Sequence, residues 1–498
     1  MNNPQSITNQ FVKNSFWNVL MVLFSKFGGL VFVILVARFL LPEKFGIYTL
    51  AIAMTMLVLA FTNIGTNQTL LRYVSEALGK GDKKRAASYY RFIFKIKVLF
   101  TIVSFFLLII LAYPLSSFIF KKPDLFIPLL ISTFYLLVLS FQTFYESLFY
   151  VFENVKFLTI KEAILQFSKI FFIVLFFLFI GKTVSLTIAA LIFSSLIALI
   201  ILIYYLRQKV GFIFEKKDKL VDKKQVLNFV KYAIFSSVSF TIFAAVDTVL
   251  LGLFVTSNFL GHYSAAVFIV IGFTAMISFS KLLLPIFTRM KDKDISNAFN
   301  RILRYLSIIS IPTIFGIFIL GRYLLMIIYG YEYLGAALPL FVLSLLIFET
   351  PITENLTALF FAKNKQKFVS RIFFFAIILN IVLSLIFVVY LLRISEVLAI
   401  TGVAIATVIS RMLILFSFII LSKRELGISL DFRVILKPLF AATIMGGGIL
   451  LINQFITDMN LLIGFFEVFL GIFIYIGLMF LIKGVSKKDF YLVREVIK

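Results

Sequence analysis

Apolar stretches long enough to cross a bilayer follow one another along almost the whole chain, with short polar connections between them. A hydrocarbon core of about 30 Å needs roughly 20 apolar residues in a helix. The pattern predicts about fourteen transmembrane helices, at roughly 16–37, 45–66, 93–113, 125–148, 163–181, 184–205, 232–254, 259–288, 305–329, 336–361, 370–392, 398–422, 438–457 and 460–482. These helices use nearly all of the 498 residues, so no soluble domain is expected beside them. The first stretch, near Phe16 to Ala37, is too long for a signal-peptide core and reads as a retained helix. The predicted fold class is an all-α integral membrane protein.

Charge sharpens this picture. With Lys95, Lys97 and Arg371, near the ends of their stretches, counted with the adjoining connections, 37 of the 48 Lys and Arg fall in one alternating set of connections and termini, 6 in the other, and 5 inside apolar stretches. Cytoplasmic loops carry the excess of Lys and Arg in membrane proteins. Both termini are therefore expected in the cytoplasm, in a multi-pass protein of the plasma membrane. The net charge of +25 follows these loops and does not form one patch, so anionic membrane lipids are the expected partners and nucleic acid is not.

Composition narrows the chemistry. Hydrophobic residues make up 62% of the chain and charged residues only 14%, against roughly 25% charged in a soluble domain. The absence of Cys excludes disulfides, thiol catalysis and Cys-ligated metal, and a single His, His262, leaves little for zinc or a histidine base. The 64 Phe are read as codon bias rather than as an aromatic binding surface. No phosphate-binding loop is present, so ATP hydrolysis is not expected, nor is any cofactor.

Two short echoes suggest an internal repeat. Phe45-Gly46-Ile47-Tyr48-Thr49-Leu50-Ala51 opens the second helix and Leu260-Gly261-His262-Tyr263-Ser264-Ala265-Ala266 the eighth, at an offset of 215. Residues 148–157 and 359–368 echo each other at an offset of 211. A duplicated six-helix unit of unchanged orientation follows, which is a transporter architecture. The expected division is an N-lobe at 1–205, a charged linker at 206–231, a C-lobe at 232–422, and a final helix pair with its tail at 423–498.

Several segments resemble a known family. The run Ala37-Arg38-Phe39-Leu40-Leu41-Pro42-Glu43-Lys44-Phe45-Gly46-Ile47-Tyr48 is similar to the junction of helices one and two in polysaccharide flippases. Arg72-Tyr73-Val74-Ser75-Glu76 and Gly79-Lys80-Gly81-Asp82 resemble their first cytoplasmic loop. Asp247, Gly252 and Gly261-His262-Tyr263 resemble the start of their second half. Tyr329-Gly330-Tyr331-Glu332-Tyr333, with Ala336, Ala337 and Leu340, resembles the loop between their helices nine and ten. The chain thus resembles the O-antigen and polysaccharide flippases of the multidrug/oligosaccharidyl-lipid/polysaccharide exporter superfamily. The resemblance implies two lobes that move a polyprenyl-linked oligosaccharide across the membrane, in company with other polysaccharide-assembly proteins. Fourteen helices argue against the superfamily's multidrug exporters, which usually have twelve; peptidoglycan-precursor flippases share the plan.

The intramembrane charges are the candidate site residues, because a charge at the bilayer centre costs at least ~2.5–3.5 kcal/mol. Lys26, Lys169, Lys281 and Arg411 could line a cavity and hold the phosphate of the lipid carrier. Against that, Lys169, Lys281 and the more peripheral Arg322 could reach an interface by snorkelling, and Arg411 could pair with a carboxylate. Three acids, Asp247, Glu349 and Glu354, stand where a Na⁺ or H⁺ could couple to transport. Pro351 lies between the two Glu, and residues five apart diverge by about 140° on a straight helix. The two carboxylates could share a site only if the helix bends at Pro351; otherwise the acids pair with Lys281 or Arg411 beside a structural kink. Gly28-Gly29 and Gly446-Gly447-Gly448 are points of close packing or of flexibility. The function expected is export of a lipid-linked oligosaccharide from the cytoplasmic to the outer leaflet. The rivals are a multidrug or cation antiporter of the same superfamily and, from another class, an integral membrane enzyme of polysaccharide assembly. Short outer connections favour a transporter, not an enzyme.

Overall fold

The computed structural model describes residues 4–63, 65–152, 154–214, 223–277, 292–363, 365–454 and 461–485. Helix dominates them, and no strand occurs among the described residues. In chain order the helices are α1 (Pro4–Thr62), α2 (Thr66–Gly79), α3 (Lys83–Tyr113), α4 (Phe126–Val151), α5 (Val155–Phe179), α6 (Val184–Val210), α7 (Lys223–Phe254) and α8 (Ser257–Ile277). They continue as α9 (Asp292–Ile328), α10 (Ala337–Ser344), α11 (Leu346–Ala362), α12 (Gln366–Leu391), α13 (Glu396–Leu426), α14 (Arg433–Asn453) and α15 (Leu461–Leu481). In lipid, backbone polar groups must be satisfied within the segment, and only helices or closed barrels achieve this.

The distribution of side chains is that of a membrane protein. Leu178, Phe179, Phe473 and Leu481 are 74–79% exposed, whereas Thr62, Lys97, Ser132, Ser140 and Glu349 are fully buried. A soluble protein hides its large apolar groups; here they face outward and the hydroxyls and charges face inward.

By length and composition, eleven helical runs among the described residues can cross a membrane, or up to twelve if a bent pair counts as one span. That is fewer than the fourteen expected. Part of the difference is a single 64-residue run, Phe16–Gly79, which contains both of the first two expected stretches. Inside it, Leu41 leaves the helical region, at φ 62° and ψ 168°. Pro42 causes the break, since a proline ring disfavours the helical conformation of the residue before it and itself suits a helix's first turn. The expected 232–254 stretch lies in α7, and 336–361 is split into α10 and α11, whose pair is bent by 43°.

By proximity the described chain falls into two compact units. The first is residues 1–264 with 384–399, the second 265–383 with 400–498. The segment 206–231, expected as a linker between halves, falls within the first unit, because α7 beyond it packs on α1. In that unit α1 also packs on α5, and α4 and α5 on α6. In the second unit α9 packs on α10, α11 and α14, and α14 on α15. The final pair is anchored where Tyr475 donates from its hydroxyl to the Ile308 carbonyl at 2.9 Å.

One contact in the first unit is reciprocal. A Cβ on Gly46 would lie 1.9 Å from the Ser257 carbonyl oxygen, and a Cβ on Gly261 would lie 1.9 Å from that of Pro42. The 215-residue offset relates Gly46 to Gly261 and Pro42 to Ser257, and Ser264 Oγ donates to its own counterpart, Thr49 Oγ1, at 3.0 Å. Only glycine allows backbones this close.

Candidate functional site

The first unit holds a chain of buried polar groups between α4 and α5. Helix α5 begins at Val155, two turns before the expected start, so Lys161 and Glu162 lie within the helix. Lys161 Nζ donates to Glu146 Oε1 at 2.6 Å and to Glu162 Oε2 at 2.8 Å. Gln142 and Gln166 donate their amides to Glu146 at 2.9 Å and Glu162 at 2.7 Å, each one turn away on its own helix. The Lys161 side chain is 4% exposed, Glu162 11% and Glu146 24%. Helix α1 presses on this chain at Gly28, where a Cβ would meet the Gln166 side chain at 2.4 Å.

Two expected headgroup residues fall beside it. Lys169 is half-buried on α5 within electrostatic reach of Glu162, Lys161 and Glu146. Lys26 is half-buried on α1, two residues before Gly28. Arg411 lies in the second unit, and Lys281 lies outside the described residues.

A second cluster surrounds Glu349 on α11. This carboxylate is fully buried and accepts hydrogen bonds from Thr353 Oγ1 at 2.5 Å and Thr350 Oγ1 at 3.0 Å. Arg411, on α13, acts electrostatically on it, and Glu354 does so with the opposite sign. The bend of this region lies between Ser344 and Leu346, not at Pro351, which sits inside continuous helix. The reason is local: a proline clashes with the carbonyl one turn before it, and the chain relieves this upstream. Glu349 and Glu354 consequently point apart, one buried and the other exposed. Asp247, on α7 in the first unit, accepts from the Tyr263 hydroxyl at 2.8 Å, which joins two of the residues quoted for the family resemblance.

The sequence reading missed Glu146, Lys161, Glu162 and Lys97. It counted Lys161 and Lys97 with the loops, yet both lie inside helices. The available signal was apolar residues three and four positions on either side, such as Leu158 and Leu165 about Lys161 and Glu162. Lys97 is fully buried and caps the end of α1. Its Nζ donates to Asn63 Oδ1 at 2.6 Å and to Thr62 O at 3.2 Å, at the negative end of the helix dipole.

Outside the spans, Lys122 donates to the Gly252 and Val255 carbonyls at 2.7 and 2.9 Å. Burial pushes its ammonium below the usual lysine range, and Glu396 nearby pulls it back up.

A helical bundle with ion pairs and hydroxyls inside and phenylalanines outside is a multi-pass membrane protein. Comparison with known proteins makes this specific. A family model described as polysaccharide biosynthesis protein matches residues 11–291, more than half of the chain, and the chain belongs to that family. Among solved structures it is similar to the lipid II flippase MurJ in an inward closed conformation, at 18% identity and a TM-score of 0.75, with 97% of this chain and 100% of that chain covered. It is also similar to an inward-facing multidrug resistance MATE family transporter of the MOP superfamily, at 12% identity and a TM-score of 0.67, covering 80% and 94%. A Vibrio cholerae MATE transporter follows at 13% identity and a TM-score of 0.55, covering 84% and 98%. No curated protein sequence matches.

Proposed function

We propose that this protein is a flippase that moves a lipid-linked oligosaccharide, the repeat unit of a polysaccharide, from the cytoplasmic to the outer leaflet by alternating access. What supports the proposal is that Lys26 and Lys169 belong to helices long and apolar enough to cross a membrane, beside the Lys161 chain, in a member of a polysaccharide biosynthesis family. Lysine and arginine are suited to hold phosphate, and the phosphate of a polyprenyl carrier is the anion proposed. Arg411 would act likewise from its own unit, and Lys281 is proposed with it from the sequence. The chain would be oriented with its cation-rich connections and both termini in the cytoplasm. The repeat reading of lobes at 1–205 and 232–422 is supported by the reciprocal contact of Gly46 and Gly261. A Na⁺ or H⁺ would couple through Asp247, Glu349 or Glu354.

The test is a flipping assay in proteoliposomes with a fluorescent lipid-linked oligosaccharide. Protein-dependent loss of inner-leaflet label, reduced by Lys26→Ala and Lys169→Ala at equal protein levels, is expected. Transport unaffected by both substitutions would remove the headgroup role. The carboxylates Glu146, partly exposed, and Glu162, buried, favour a second reading, cation-coupled small-molecule antiport. That reading predicts movement of organic cations against a Na⁺ or pH gradient and none of the lipid.

A further inference from the structure

The end of the first unit that carries cation-poor connections is fastened by polar contacts among three segments far apart in sequence. After α3 the chain makes a wide turn over Pro114–Ile119, and Lys122 N donates to Ser116 O at 2.7 Å. Lys121 then takes a left-handed conformation, at φ 53°, unusual for a residue with a side chain. This backbone directs Lys122 to the end of α7, where its ammonium meets the Gly252 and Val255 carbonyls. These are the groups a helix leaves unpaired at its C-terminus, at the negative end of its dipole. Thr256, between α7 and α8, donates from N and Oγ1 to Glu396 Oε2 at 3.1 and 2.7 Å. Glu396 is the first residue of α13, where a carboxylate suits the helix dipole, and its charge also acts on Lys122.

Beneath these contacts the packing is glycine-tight. A Cβ on Gly252 would meet Leu50 at 2.8 Å and Phe120 at 3.2 Å, next to the Gly46 and Gly261 contacts with backbone. Ser264, 4% exposed, is bonded to Thr49.

The two layers differ in how readily they part. Lys122, Thr256 and Glu396 are all partly exposed, so water can replace each bond as it breaks, and the net loss is small. The Lys161 chain is buried, and parting its ions would strand charge in a low dielectric. The first set is the easier to part.

We propose that Lys122, Thr256 and Glu396 form a latch that holds the outer end of the protein shut over the seal of Gly46, Gly252 and Gly261, and that this latch opens in each transport cycle. The proposal rests on the transport reading above, and it gives that reading a gate.

The absence of Cys allows a direct test. In a Ser264→Cys variant the thiol is buried and reacts slowly with a membrane-impermeant thiol reagent applied from the outer side. Lys122→Ala removes two charge-assisted bonds and is expected to speed modification about tenfold or more. Lys122→Arg restores slow modification, and Glu396→Gln, which preserves shape, gives a smaller rise. Unchanged rates in both Lys122→Ala and Glu396→Gln would overturn the latch. Thr49→Cys with Ser264→Cys, whose parent hydroxyls are 3.0 Å apart, is expected to oxidise to a disulfide that stops transport until it is reduced. A disulfide that forms without slowing transport would also overturn the proposal. The thiol rates need no transported substrate. If no lipid-linked oligosaccharide moves even before oxidation, the flippase reading fails and the rates alone decide the latch.

Discussion

Removing the Lys161 ammonium tests the buried charge chain most sharply. Lys161→Met keeps the length of the side chain and removes one positive charge. Two carboxylates, 2.6 and 2.8 Å from Nζ, then lose their shared partner at a site where the lysine side chain is 4% exposed. Breaking a buried pair from one side costs about 3–5 kcal/mol. Glu146 is 24% exposed and keeps its bond from Gln142, so it can partly rehydrate. Glu162 is more deeply placed and keeps its bond from Gln166. The lower end of the range, about 3 kcal/mol, is therefore expected. Replacing all three ions together, as Glu146→Gln, Lys161→Met and Glu162→Gln, removes the stranded charge as well, and such replacements are often close to neutral or stabilising. The assay is the folded fraction left after a temperature ramp in detergent, read by size-exclusion chromatography. The single variant should melt well below the parent, and the triple variant should recover most of the difference. A single variant as stable as the parent, or a triple variant less stable than the single, would refute the reasoning.

The remaining predictions follow from the same geometry. Gly261→Ala forces a Cβ to 1.9 Å from the Pro42 carbonyl and should sharply reduce the yield of folded protein, whereas Gly29→Ala, with open space around it, should not; membrane expression levels of the two decide this. Lys97→Met takes the lysine donor from Thr62 O and from Asn63 Oδ1, which keeps only the longer bond from Thr143 at 3.3 Å, and should destabilise by about 1–3 kcal/mol in the same thermal assay. Glu467, on α15, is fully buried with neither carboxyl oxygen hydrogen-bonded. Glu467→Leu should therefore raise thermal stability, by about 1–3 kcal/mol of desolvation no longer incurred; a fall would show that the carboxyl has a partner in the membrane.

The class of protein was legible in the sequence because it depends on quantities that add along the chain. A run of 20 apolar residues must be helix in lipid wherever its neighbours are, and the alternation of Lys and Arg is a local count. The Pro42 break is also local, since the ring restricts Leu41 directly. The repeat echo about Gly46 and Gly261 marked the right residues, although what they do could be seen only once their backbones met. Helix limits were less accessible. Apolar content placed the start of the fifth helix at 163, but the helix runs back to Val155 because buried partners on α4 stabilise a charged turn that hydropathy assigns to solvent.

The candidate sites show the same division. The sequence picked out Lys169, Glu349 and Arg411, because a lone charge in an apolar run is conspicuous by itself. It could not say that Lys161 joins Glu146 across two helices, that Glu349 is held by Thr350 and Thr353 while Glu354 faces outward, or that the bend lies near Leu345 rather than at Pro351. Nor could it bring Lys122, Thr256 and Glu396 together from positions more than a hundred residues apart. Hydrophobic length and loop charge are one-dimensional sums that one sequence fixes. Ion pairing, glycine contacts and the distinction between a buried and a separable bond depend on which surfaces meet, and tertiary packing alone decides that.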